Sequence, residues 1–179
     1  PTGATLERKD VEDIAEFAKE HDLIVITDEI YAELTHEGEH VSIASLPGMK
    51  ERTIFLHGFS KAWAMTGYRM GYACAPAELT EAMMKIHQYT MLCASTISQK
   101  ASIEALSRPE TDIAEMATEH GKRRNYIYQS LRDMGIPCSK PNGAFYAFPY
   151  VRQFGLSSRE FALKLLDEEK VAVVPGSAF

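Results

Sequence analysis

An amine and a guanidinium stand eight residues apart in "HGFSKAWAMTGYRMGY" (57–72), in a segment otherwise mostly small or apolar. Desolvation at an apolar edge favours a free amine, and a free lysine amine can condense with an aldehyde. That is the chemistry available to Lys61. The planar fork of Arg69 suits a phosphate dianion, and Gly67 and Gly71 on either side let backbone approach a ligand. Two more residues bear on the same place. Asp28 closes the apolar run "LIVIT" (23–27), and Tyr31 follows three residues later. A carboxylate there can pair with a protonated ring nitrogen, and a phenol can bond a phenolate oxygen. Each residue also has a plainer reading. Lys61 can be a solvated lysine, Asp28 a helix cap or turn acid, Tyr31 half-buried packing with its hydroxyl in water, and Arg69 half of a surface ion pair.

The elements that must position these groups are legible in the apolar pattern. Val11, Ile14, Ala15 and Ala18 repeat at helical spacing and predict a helix over 7–21. "LIVITDEIY" (23–31) is apolar on both faces before its acids, as a parallel strand covered on both sides would be. "TIFLHGF" (53–59) and "RMGYACA" (69–75) read as second and third strands of that kind. Helices alternating with buried strands predict an α/β fold. Asp28 and Lys61 then fall where neighbouring strands end, the place where such sheets open their ligand crevices. Further helices are expected over 77–92, 95–107 and 111–134. The last carries a stripe of Ile113, Met116, His120, Ile127, Leu131 and Met134 and is stopped by Gly135. "PNG" (141–143) predicts a turn, and "AFYAFPYV" (144–151) and "VAVV" (171–174) predict strands. Ser157 with Glu160 forms a capping box for a helix over 158–169. A domain boundary is placed near Pro109. This divides the chain into 1–108, the C-terminal part of a mostly parallel-sheet large domain, and 109–179, a long linking helix with part of a small α+β domain.

Composition narrows the classes. The chain has 179 residues, 45% of them hydrophobic and 25% charged, as in an ordinary globular protein. A net charge of -6 argues against nucleic acid or an anionic membrane as the main partner. The three cysteines, Cys74, Cys93 and Cys138, read as reduced thiols of a cytoplasmic protein. The six histidines lack metal-ligand spacing, so no metal is expected. Trp63 and Tyr68 read as packing, and Met83, Met84 and Met91 as helix core or subunit interface. The chain starts on Pro1 and ends on "GSAF" after a strand-like run, so it is expected to be an internal piece of a longer protein.

Lys61, Asp28, Tyr31 and Arg69 together match the needs of a pyridoxal phosphate site: imine former, ring-nitrogen partner, ring-oxygen partner and phosphate partner. "GFSKAWAMTGYRMG" (58–71) resembles the lysine-attachment signature of class I/II aminotransferases. "PTG" (1–3) resembles the tail of that family's "NPTG", and "TDEIY" (27–31) its aspartate–tyrosine segment. "PNGAFYAFP" (141–149) and "VAVVPGSAF" (171–179) resemble its small-domain strands. The resemblance covers essentially the whole chain and implies the aspartate aminotransferase fold. It implies that Lys61 forms the internal aldimine with pyridoxal 5′-phosphate and later moves the α-proton. Asp28 would hold the pyridinium, Tyr31 the ring oxygen and Arg69 the phosphate.

The match departs at Gly58, where many members have a phosphate-binding serine. Ser60, two residues further along the same strand and hence on the same face, is the candidate substitute. The NPTG asparagine, the glycine-rich phosphate loop, the ring-stacking aromatic residue and the substrate-carboxylate arginine fall outside the chain. The implied reaction moves an amino group from an amino acid to a 2-oxo acid, in a homodimer. A carbon–sulfur lyase or related synthase on the same fold, or the sensing domain of a regulator, uses the same cofactor residues. The isolated chain is expected to be inactive and poorly stable.

Overall fold

A computed structural model describes residues 1–108 and 111–179. Helix α1 (Arg8–Glu20) opens where Asp10 accepts a hydrogen bond from the Glu7 N–H at 2.8 Å, satisfying a donor that the first turn leaves free. Three of the four residues of its expected stripe turn inward, while Ile14 is 42% exposed. Val11, Ala15 and Ala18 are buried against Ile43 and Met49, with Val25, Val41 and Leu46 packed around them. This is the core on which the sheet rests.

The sheet has three strands in the order β1 (Val25–Asp28), β2 (Thr53–Gly58), β3 (Gly71–Cys74). β1 and β2 are parallel, with Asp28 opposite Leu56. β3 was expected to run the same way but is antiparallel to β2, with Gly58 opposite Gly71. The reason lies in the connection. A parallel return needs a crossover, usually a helix, whereas residues 59–70 hold only one 3₁₀ turn, Thr66–Tyr68, and double back. The β1–β2 crossover also lacks an α-helix. It descends through 3₁₀ turns at Ala32–Leu34, Ile43–Ser45 and Lys50–Arg52. Glycine at 58 is what lets β2 and β3 close at this end. A Cβ there would stand 3.0 Å from the Met70 carbonyl oxygen and 3.1 Å from Gly71 Cα.

Helices α2 (Ala77–Thr90), α3 (Thr96–Ser107), α4 (Thr111–Asp133) and α5 (Ser158–Glu169) match the predicted helices to within two residues. The boundary placed near Pro109 falls outside the described residues. Gly135 follows α4 with φ +71, a conformation glycine adopts without strain. The α4 stripe differs from expectation. Leu131 is buried, but Ile127 and Met134 are 43% and 63% exposed. Arg124 is buried instead. Its Nη1 lies 2.9 Å from both a Glu37 carboxylate oxygen and the Pro141 carbonyl. A buried guanidinium with such partners is tolerated, whereas hydropathy alone would place it in water.

The strands expected at 144–151 and 171–174 do not form. The first segment makes single bridges only, Thr35 with Gly143 just before it and Cys138 with Pro149. Val171, Val173 and Val174 are 48%, 46% and 66% exposed. A strand exists by its ladder, and the described residues supply neither segment with a continuous partner. Pro149 has no N–H to donate in any case.

One junction ties the far part of the chain to the sheet. The Asn142 and Gly143 N–H groups donate to the Gly3 carbonyl, at 2.8 and 3.0 Å. The His36 and Glu37 N–H groups donate to the Asn142 carbonyl, at 2.7 and 3.1 Å. Gly3, with φ +74, packs so close to Pro141 that a Cβ would sit 2.4 Å from that ring. The junction holds residues 144–146 beside the loop that carries Tyr31.

Candidate active site

Topology gathers the candidate residues. β1 and β2 are parallel, so their C-terminal ends, and hence Asp28 and the segment leading to Lys61, share one edge of the sheet. β3 is antiparallel and begins at that edge, which brings Arg69, two residues before Gly71, to the same side. The antiparallel third strand thus serves the site better than the parallel one expected.

The loop after β1 is firmly held. The Glu29 N–H extends the ladder by donating to the Leu56 carbonyl at 2.9 Å. The Glu29 side chain is buried and accepts from Thr27 Oγ1 at 3.2 Å and Ser42 Oγ at 2.7 Å, and it lies 2.6 Å from His40 Nε2. Asp28 itself is exposed at the rim, with Oδ1 accepting from the Ile30 N–H at 3.1 Å. Its plain reading as a turn acid is therefore real, and its carboxylate also stays exposed at the sheet edge.

Lys61 lies beyond β2 in a turn that the Ala64 N–H closes onto the Lys61 carbonyl at 3.1 Å. Its Nζ sits over two rings, 5.5 Å from the Tyr31 centroid and 5.3 Å from that of Phe145. Both are within cation–π range. Tyr31 meets Phe145 edge-on at 5.4 Å, and its hydroxyl lies 2.7 Å from the Tyr146 hydroxyl. Burial raises the ionisation of Tyr31 well above the ordinary phenol value, and the Tyr146 bond and the Asp28 charge push the same way. Tyr31 therefore stays a protonated donor. Lys61, Tyr31 and Asp28 form one cluster.

Arg69 takes the left-handed conformation, with φ 52 and ψ 46, and donates through Nη1 to the Thr66 carbonyl at 2.9 Å. It is exposed, and its bond is to its own turn. Ser60 departs from expectation. β2 ends at Gly58, and the Met65 N–H bonds the Phe59 carbonyl at 3.1 Å, so residues 60–64 form a turn. Ser60 is half-buried in that turn, not on a strand face. Serine at 58 would press on the backbone of Met70 and Gly71.

Phe145 and Tyr146 were missed as site residues, because 144–151 was read as a strand. No spacing could have found them, since Tyr146 lies 115 residues from Tyr31. Two histidines have structural duties: His36 Nε2 is 2.6 Å from the Ala144 carbonyl, and buried His57 is 3.2 Å from both Glu33 carboxylate oxygens.

This donor set fits a flat, anionic, aldehyde-bearing group: an amine against aromatic walls, an open carboxylate, a protonated phenol and an exposed guanidinium at one sheet edge. The family model for aminotransferase class I and II matches residues 1–179. The chain belongs to the class I and II aminotransferase family.

Class I and II aminotransferases depend on pyridoxal 5′-phosphate. Among relatives of this aminotransferase chain, the Bacillus subtilis protein YugH is 54% identical over the whole of it and over 46% of its own length. The aspartate aminotransferase of Pyrococcus abyssi is 50% identical, again over the whole chain and 47% of the relative. The crystal structure of the aromatic aminotransferase from Pyrococcus horikoshii superposes with a TM-score of 0.94 at 48% identity, covering 99% of this chain and 48% of that one. The chain thus spans about half the length of the aminotransferases it matches. These neighbours bear out the expected α/β fold of the aspartate aminotransferase type.

Proposed function

We propose that this chain is the lysine-bearing part of an aminotransferase that moves an amino group from an amino acid to a 2-oxo acid. The observation that carries this reading is the Lys61 amine over the Tyr31 and Phe145 rings, at the sheet edge that Asp28 and Arg69 share. Pyridoxal phosphate, when bound, supplies an aldehyde for amines and a ring that delocalises electrons left on the substrate α-carbon. The Lys61 amine would hold the cofactor through its aldehyde carbon and would serve as the base for the substrate α-carbon proton. The Asp28 carboxylate would pair with the ring nitrogen and keep a proton on it. The Tyr31 hydroxyl would donate to the ring oxygen. Arg69 would take the phosphate with its guanidinium fork, and Ser60 would add a hydroxyl from the Lys61 turn.

The reading includes a homodimer working in the cytoplasm. Met84, Tyr89, Met91 and Leu92 stand 51–85% exposed on and just after α2, which suits a subunit contact. No described helix is long and apolar enough to cross a membrane. The division into 1–108, part of a large domain, and 109–179, a long linking helix with part of a small domain, belongs to the same reading.

The test uses protein of the relatives' full length. Borohydride reduction followed by peptide mass mapping is expected to find the cofactor on the Lys61 peptide, and no adduct in Lys61→Ala. Mixing with an amino donor is expected to release a 2-oxo acid without ammonia. An adduct that persists in Lys61→Ala sinks the assignment, and ammonia release replaces transfer with lyase chemistry.

A further inference from the structure

Tyr31 and Tyr146 come from segments 115 residues apart, yet their hydroxyl oxygens lie 2.7 Å from each other. Such a pair has a hydrogen problem. Each phenol carries one hydrogen and can donate only once. If Tyr31 donates to Tyr146, it has nothing left for another acceptor. If Tyr146 donates to Tyr31, the Tyr31 hydrogen is free to point into the crevice. An anion in front of Tyr31 selects the second arrangement. The Tyr146 bond then polarises the Tyr31 O–H and makes it a stronger donor, as consecutive hydrogen bonds do.

The surrounding geometry is built to hold this contact. Phe145 and Tyr146 meet the Tyr31 ring edge-on at 5.4 and 5.8 Å, with interplanar angles of 82° and 74°. Their backbone is pinned to the loop that carries Tyr31. The Ala144 N–H donates to the Leu34 carbonyl at 2.9 Å, and the Ala144 carbonyl lies 2.6 Å from His36 Nε2. Ala144 has φ 57, a left-handed conformation that costs a non-glycine residue energy and persists only where neighbours enforce it. That strained residue directly precedes the aromatic pair. The charged and titratable groups facing Tyr31 are Asp28 three residues before it, Lys61 Nζ over its ring and Tyr146, while His120 reaches it only through its stack on Phe145 at 5.5 Å.

We propose that Tyr146 is a positioning residue: its hydroxyl donates into the Tyr31 oxygen and so aims the single Tyr31 hydrogen at the anionic ring oxygen of the cofactor. The proposal rests on the function proposed above. It makes the 144–146 segment part of the cofactor's electronic environment, reached through Tyr31 and not by direct contact.

The experiment is a pH titration of the visible absorbance of the cofactor-loaded, full-length protein, for the wild type, Tyr146→Phe, Tyr31→Phe and the double variant. Tyr31 donation stabilises the deprotonated, anionic ring oxygen, so weakening it lets the proton stay on to higher pH. Tyr146→Phe keeps the ring that packs on Tyr31 and removes only the hydroxyl. It is expected to raise the midpoint by about half to one pH unit, the size of one modest hydrogen bond. Tyr31→Phe is expected to raise it further. The double variant is expected to match Tyr31→Phe alone, because groups acting in series are not additive. Borohydride attachment at Lys61 is expected to survive in all four proteins. A Tyr146→Phe midpoint equal to wild type overturns the proposal, as does a shift that adds in full to that of Tyr31→Phe. If the wild-type protein takes up no cofactor, the underlying function falls and this proposal falls with it.

Discussion

The residues under the sheet edge carry a pH dependence of their own. His57 is 4% exposed at its side chain and Glu33 30%, with the ring nitrogen 3.2 Å from the carboxylate. The Glu33 hydrogen bond raises the His57 ionisation above the ordinary histidine value despite burial. Burial pushes Glu33 up, yet the His57 bond and the Glu33 backbone outweigh it and hold the carboxyl low. The signs follow from linkage. A raised histidine contributes stability that is complete below its unfolded value and lost as pH rises through its folded one. A lowered carboxyl contributes stability present above its unfolded value and lost as pH falls through its folded one. The pair therefore stabilises most between the two ordinary values, around pH 5–6. His57→Gln in the full-length protein is expected to be most destabilised relative to wild type there, with the gap narrowing towards pH 8. Denaturant melts across that range check it, and a gap independent of pH would show that His57 acts by packing alone, between Phe55 and Tyr72.

At the scale of elements, the sequence reported well wherever the deciding interaction was local. The capping box of α5 is the clearest case. Ser157 Oγ accepts from the Glu160 N–H at 3.3 Å, and Glu160 Oε2 accepts from the Ser157 N–H at 2.9 Å. Two orphan donors are satisfied within four residues of sequence. Ser157→Ala is expected to cost about 1 kcal/mol in equilibrium unfolding of the full-length protein, and Ser157→Gly only a few tenths. Equal losses for both would mean that the cap contributes nothing beyond backbone geometry. α1 and the Gly135 stop were legible for the same local reason. The direction of β3, the burial of Arg124 and the failure of 171–174 to join a sheet were not. The first turns on how the 59–70 connection doubles back, the other two on what partners the chain brings near, and apolar periodicity is silent about both. The site divides along that line too. Asp28, Tyr31, Lys61 and Arg69 lie on short strand-end segments, so the local pattern is enough to single them out as candidates. Phe145 and Tyr146 arrive through the Asn142–Gly3 junction, and only the fold could show them beside Lys61.

For the molecule as a whole, the distribution of apolar surface is the feature with the largest consequence. The clustered core consists of Val11, Ala15, Ala18, Ile43 and Met49 with three flanking residues, and it sits under α1 alone. Outside it, α2 buries none of its residues, and Ile86 and Tyr89 are 68% and 85% exposed. Ile24 and Ile26 on the free side of the sheet are 58% and 67% exposed, and Ile97 on α3 is 76% exposed. β1 also presents an unpaired edge, a template for pairing with other chains. Apolar patches of this extent mark surfaces that other structure covers. The 179 residues alone leave them in water, which forfeits roughly 25 cal/mol for each Å² left uncovered. The chain expressed by itself is therefore expected to bind hydrophobic dye, to self-associate and to melt without a sharp transition. The same residues within protein of the relatives' length are expected to melt cooperatively, at a temperature that rises when pyridoxal phosphate is added. Calorimetry of both decides the matter. A single cooperative transition in the isolated, monomeric chain would mean that the small core under α1 suffices and that the exposed apolar faces need no cover.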